Sequence, residues 1–244
     1  MTRSSACTHV ARSLCLSISL LAAGCGGAAV SSERQVLPSF HAQELQHTRL
    51  LLAPYALKAL DPERAVPLED EDMEDLAKQY SDKDPNRAAL KAFYASSATR
   101  AQSVLAEQSI GAGLVQVEPA RWGSYFENSA RFIDVTLDGK LRYQVPERSL
   151  LAELGSDADF VIVLGSMAYQ TTHTTTTNNA GTFRSHSADF EGRFLVWDYR
   201  KARALAEGKL ECSVNIKRDA TLDSLKDLGR LVIEEILAKR PFHG

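Results

Sequence analysis

Past residue 25 this chain has one cysteine, Cys212; Cys7, Cys15 and Cys25 crowd the N-terminus. With a single thiol left, a mature domain forms no internal disulfide. Basic charge is short as well. The first 25 residues contain Arg3 and Arg12 but no acid, so the rest holds 26 basic against 31 acidic residues, a net charge near −5. No cluster of Lys and Arg interrupts that excess, which argues against nucleic acid as a partner. No run approaches eighteen apolar residues, the length a spanning helix needs. Catalytic signatures are missing too. There is no Ser-x-x-Lys, His-Glu-x-x-His or Cys-x-x-Cys, and no glycine loop that cradles phosphate. Gly165-Ser166-Met167 lacks the Gly-x-Ser-x-Gly spacing of a nucleophile elbow.

What remains is ordinary for a globular protein, with 44% hydrophobic and 24% charged residues, enough for a proper core. The N-terminus has basic residues followed by the short apolar stretch LCLSISLLAAG, the pattern of a signal peptide. It closes on Leu21-Ala22-Ala23-Gly24-Cys25, which resembles the lipobox of bacterial lipoproteins. That resemblance implies cleavage before Cys25 and acylation of its thiol and new amino group. Ala22 stands where leucine is usual, with Leu21 one step further out. A plain secretory signal cut near Ala29 is the alternative. Several acyl chains, at about 0.8 kcal/mol per buried CH2, satisfy the two-signal requirement for stable anchoring. Residues 1–24 therefore read as signal peptide, 25–47 as a small, polar tether and 48–240 as one domain.

Within that domain Asp84-Pro85 caps a helix whose apolar face includes Leu90, Phe93, Tyr94 and Leu105, stopped by Gly111. A second helix from Thr221 buries Leu225, Val232 and Ile236 and ends at Pro241. A short one fits PERSLLAELG. Strands fill TRLLLAPY, AGLVQVEP, DFVIVLG, FEGRFLVWDY and ALAEGKLECSVNIK. Alternation of Leu210, Cys212 and Val214 places Cys212 on an apolar face as an inert thiol. The acidic stretch LEDEDMEDL reads as a solvated face, because it lacks the spacing of a calcium loop. The fold class expected is α/β (α+β): a single mixed, largely antiparallel sheet with helices packed on it, and a long polar hairpin at about 166–193.

Two hairpins make their register testable. In RFIDVTLDGKLRYQV a loop Leu137-Asp138-Gly139 sets Val135 opposite Leu141 and Ile133 opposite Tyr143, keeping one apolar face. The Asn178-Asn179-Ala180-Gly181 turn makes ladder partners sum to 359. It pairs Tyr169 with Phe190, Gln170 with Asp189, Ser166 with Arg193, Val163 with Val196 and Ile162 with Trp197. It also sets His173 against His186. Two imidazoles bind zinc weakly, and neither Thr171 nor Thr175 is a strong third ligand, so no metal or cofactor is assigned.

The segment LGSDADFVIVLGSM followed by FLVWDYRKARALAEGKLECSV resembles the group containing the curli-secretion lipoprotein and the lipoprotein activators of penicillin-binding proteins. Ala158-Asp159-Phe160-Val161-Ile162-Val163-Leu164-Gly165 and Val196-Trp197-Asp198-Tyr199 carry the likeness. It implies a non-catalytic periplasmic domain, docking to an envelope partner or assembling with its own copies; Gly26 after the cysteine, without the aspartate of inner-membrane retention, sets the expected place at the periplasmic face of the outer membrane. The polar segment between Tyr169 and Phe190 has no alternating residues to face lipid, which argues against a membrane pore. Candidate partner-binding residues are Trp122, Tyr125, Phe126, His173 and His186, with core packing the rival reading of the three aromatics. Asp198 reads as a turn-capping carboxylate rather than a catalytic one, and His41 and His47 carry no joint metal role. The alternative function is a membrane-tethered hydrolase whose site is assembled from distant residues.

Overall fold

A computed structural model describes residues 28–37, 40–54, 70–80, 82, 84–137, 141–178, 181–216, 221–239 and 242. Cys25 lies outside them. The strands are β1 (Ala29–Val36), β2 (Arg49–Leu52), β3 (Gly113–Gln116), β4 (Phe132–Leu137), β5 (Leu141–Pro146), β6 (Phe160–Asn178), β7 (Gly181–Asp198) and β8 (Arg203–Asn215). The helices are α1 (Asp70–Tyr80), α2 (Pro85–Glu107), α3 (Trp122–Glu127), α4 (Arg148–Glu153) and α5 (Thr221–Leu237). Six strands form one sheet in the order β1-β8-β7-β6-β2-β3, and β4 pairs with β5 alone. Neighbours are antiparallel from β1 to β6, whereas β6, β2 and β3 run parallel. The expected mixed, largely antiparallel sheet with packed helices is the fold observed.

Helix α2 begins where Asp84 accepts a hydrogen bond from the Arg87 N–H at 3.2 Å, with Pro85 at the first helical position. It crosses α5 closely. The Ser97 hydroxyl donates to the Gly229 carbonyl at 2.8 Å, and a Cβ on Gly229 would stand 2.6 Å from the Phe93 carbonyl oxygen. Only glycine permits that approach. Leu225, Val232 and Ile236 of α5 are all buried, as expected of the helix's apolar stripe. Phe160 to Leu164 form the buried core of β6, between β7 and β2.

The segment expected to be a tether, 25–47, belongs to the folded body from Ala29 onward. Strand β1 pairs with β8 along its whole length, from Ala29 opposite Ser213 to Val36 opposite Ala206. Arg34 explains why so polar a segment stays attached. Its guanidinium lies 5.0 Å over the Phe194 ring and donates to the carbonyls of Glu235 (2.7 Å) and Ile236 (3.0 Å) near the end of α5. Ser32 donates to the Glu235 carboxylate. Phe40 then packs edge-on against Phe160 at 6.3 Å, and Leu45 is fully buried. The polar composition hid a strand whose central side chains, Ser32 and Arg34, serve a helix end while Val30 and Val36 pack against the core.

The β4–β5 ladder is shifted by two from the expected register. Val135 faces Tyr143, Ile133 faces Val145 and Leu137 faces Leu141. The face is the one foreseen, but the ladder gains the Leu137–Leu141 pair, and the expected loop residues Asp138 and Gly139 lie outside the described residues. The Tyr143 ring lies against Gly165 of β6, where a Cβ would stand 2.5 Å from its Cδ1. That contact is on the sheet face away from α2 and α5, towards Arg193 and Glu207.

Candidate docking ribbon

The β6–β7 hairpin is much longer than the sheet that carries it. From Ser166 opposite Arg193 to Asn178 opposite Gly181, partners sum to 359, so Tyr169–Phe190, Gln170–Asp189 and His173–His186 face each other as expected. Below that the register changes by one. Gly165 is bulged out, and Ile162 faces Val196 while Val163 faces Leu195. The expected pairs Val163–Val196 and Ile162–Trp197 are therefore corrected. A glycine within a strand pattern was the available signal, because it lets the chain bulge and leaves room for the Tyr143 ring.

Strand β2 covers β6 only at Leu50–Phe160, Leu51–Val161 and Leu52–Ile162, and β8 follows β7 only as far as Asn215–Ser187. Residues 171–178 and 181–185 thus stand as a two-stranded ribbon whose outer backbone edges carry no further strand among the described residues, the β7 edge being held last where the His186 carbonyl accepts from the Ile216 N–H at 2.9 Å. Thr172, Thr174 to Thr177, Thr182 and Ser185 are exposed. A threonine run is β-branched and polar, suited to a pleated strand wet on both sides.

Its base is firmly built. On the helix face Phe190 stacks on Phe93 of α2 at 5.3 Å, and the Tyr169 hydroxyl lies 3.2 Å from the Ser224 hydroxyl of α5. On the opposite face the Asp189 carboxylate accepts from Thr172 (2.7 Å), Ser187 (3.2 Å) and Ser213 (2.6 Å), joining β6, β7 and β8. The ribbon therefore projects from a rigid root.

The other candidates fall elsewhere. Trp122 and Tyr125 are core residues, each 2% exposed, and so offer nothing to a partner. Trp122 packs edge-on against Tyr94 at 4.9 Å and donates its indole N–H to the Val117 carbonyl at 3.0 Å. Burial drives the Tyr125 phenol far above its ordinary pKa. Phe126 is partly buried, edge-on to both Trp122 and Tyr125. The helical i, i+3, i+4 spacing of Trp122, Tyr125 and Phe126 served the core, the reading that competed with binding.

Asp198 is fully buried, and its Oδ1 accepts from the backbone N–H groups of Arg200 (2.9 Å) and Lys201 (3.3 Å), capping the β7–β8 turn. Ser166 lies within a continuous strand opposite Arg193, not at a strand-to-helix elbow. Burial pushes the Cys212 thiol up to about 12, leaving it protonated and inert at neutral pH. At the far end of the sheet, hydrogen bonding from Arg148 (2.8 Å), aided by Arg49, holds the Asp157 carboxyl below its usual range. Among the described residues no three His, Cys, Asp or Glu side chains are placed to hold a metal ion.

No protein-family model and no curated protein matches the chain. Similar solved structures include the PelC dodecamer from Paraburkholderia phytofirmans, with 8% identity and a TM-score of 0.35, covering 86% of this chain and 95% of that one. A single-substitution variant of that dodecamer gives 8% identity, a TM-score of 0.33 and the same coverage.

Proposed function

We propose that this chain is a lipoprotein of the outer membrane's periplasmic face, acylated at Cys25, and that its domain works by binding and assembly rather than catalysis. The lipobox-like ending at Gly24-Cys25 supports the anchor. Gly26 follows the cysteine, without the aspartate that commonly signals inner-membrane retention in such proteins. The ribbon carries the binding reading. Its edges present unladdered N–H and C=O groups on a rigid root, and such an edge is the natural template for a strand of another chain. No acidic residue and no proline blocks pairing along residues 171–178. The partner is an envelope protein or a second copy of this chain.

Bifunctional crosslinking of the full protein in intact envelopes tests this. A discrete adduct of defined mass is expected, and the variant Thr174→Pro/Thr175→Pro should reduce it about tenfold, the equivalent of about 1.4 kcal/mol of pairing. Adjacent prolines remove one donor from each side of β6 while leaving the core untouched. Monomer alone, or an adduct indifferent to the prolines, overturns the reading.

A further inference from the structure

We propose that the outer half of the β6–β7 ribbon lies against the phosphate-bearing headgroups of the membrane that holds Cys25. The inference rests on the acylation proposed above and adds what the fold does with it.

One row of the sheet ties the N-terminal end of β1 to the ribbon. Ala29 pairs with Ser213, Ser213 with Asp189, and Asp189 with Gln170. Strand β1 therefore starts in the row where the ribbon leaves the sheet. Because β1, β8, β7 and β6 alternate in direction, the N-terminal end of β1 is on the ribbon's side of the sheet. Gly26, Gly27 and Ala28 are all that separate β1 from Cys25. Four steps of at most about 3.5 Å keep the two Cα atoms within about 14 Å. Past Gln170, β6 continues for the residues 171–178, which at about 3.3 Å each carry the ribbon about 26 Å beyond that row. The projection outreaches the anchor. A bilayer close enough to receive the acyl chains meets the ribbon about halfway along its length, or the ribbon lies down along the surface.

Composition fits that place and sets the depth. Residues 171–186 contain no Asp or Glu in a chain that has 31 of them, so no carboxylate meets the lipid phosphates. Threonine and serine hydroxyls can donate to phosphate oxygens, and Arg184 supplies a positive charge. The hydrocarbon layer is closed to it. An open two-stranded ribbon would carry unpaired backbone groups where no water can satisfy them. The headgroup layer is where it stops, with its edges still open to neighbouring chains.

Depth-dependent fluorescence tests this on the full acylated protein in vesicles of phosphatidylethanolamine and phosphatidylglycerol. Thr176→Cys and, separately, Ser185→Cys place a label on each strand of the ribbon; Cys25 is blocked by its lipid and Cys212 is buried. Lys201→Cys, on the β7–β8 turn at the sheet's other end, is the control. Headgroup spin-labelled lipid should quench both ribbon labels at least fivefold more than the control. Equal, weak quenching at all three sites in vesicle-bound protein overturns the inference while the anchor stands. Protein that fails to float with vesicles, with Cys25 unmodified, overturns the anchor and the inference with it.

Discussion

Val232→Asp is expected to cost about 4 kcal/mol or more, enough to unfold a domain of ordinary stability. Val232 is fully buried in the middle of α5, with Leu228, Ile233 and Ile236 also at zero exposure on the same helix. A carboxylate there either sits unpaired in an apolar setting or takes up a proton, and both cost free energy. Because α5 packs on the sheet and on α2 together, its loss exposes both layers at once. Urea unfolding followed by circular dichroism should show the cooperative transition shifted to low denaturant or absent. A loss under about 1 kcal/mol would mean that α5 is not clamped to the core as described.

Phe190→Ala should cost about 3–5 kcal/mol, the range for emptying a buried aromatic site. The ring is 4% exposed, stacks on Phe93, and covers Gly192, where a Cβ would stand 2.6 Å from it. It thus joins the ribbon's root to α2. Phe190→Leu, which fills most of the space, should recover the larger part of the loss. Both values come from the same urea titration. Equal destabilisation by Ala and Leu would point to a need for the aromatic stack itself rather than for volume.

These two sites also show where sequence and structure part company. Periodicity was enough for α5, because Leu225, Val232 and Ile236 repeat at helical spacing and no proline or second glycine interrupts them. Like-with-like pairing was enough for the upper ribbon, since one slip would put Tyr169 and Gln170 on each other's faces. It failed below Ser166 because a bulge costs no composition change: Gly165 reads the same whether it is paired or squeezed out. The β4–β5 register failed for a related reason. A shift of two preserves every face, and what decides it is a distant contact, Tyr143 on Gly165. Strand β1 was illegible because its middle, Ser31 to Gln35, is wholly polar, with apolar residues only at Ala29, Val30 and Val36. Its reason for pairing is the Arg34 guanidinium at the end of α5, 201 residues away for Glu235. Trp122 and Tyr125 carried a pattern compatible with both core and surface, and only burial separates the two.

An anchored domain must carry its lipid on the mature N-terminus. Mass spectrometry of the N-terminal peptide from membrane-extracted protein should find Cys25 as the first residue, with a diacylglyceryl group on sulfur and a fatty acyl group on nitrogen. Cys25→Ser should abolish both modifications and move the protein out of the membrane fraction. A mature chain beginning downstream of Cys25, or beginning at Cys25 with a free thiol, would contradict the account.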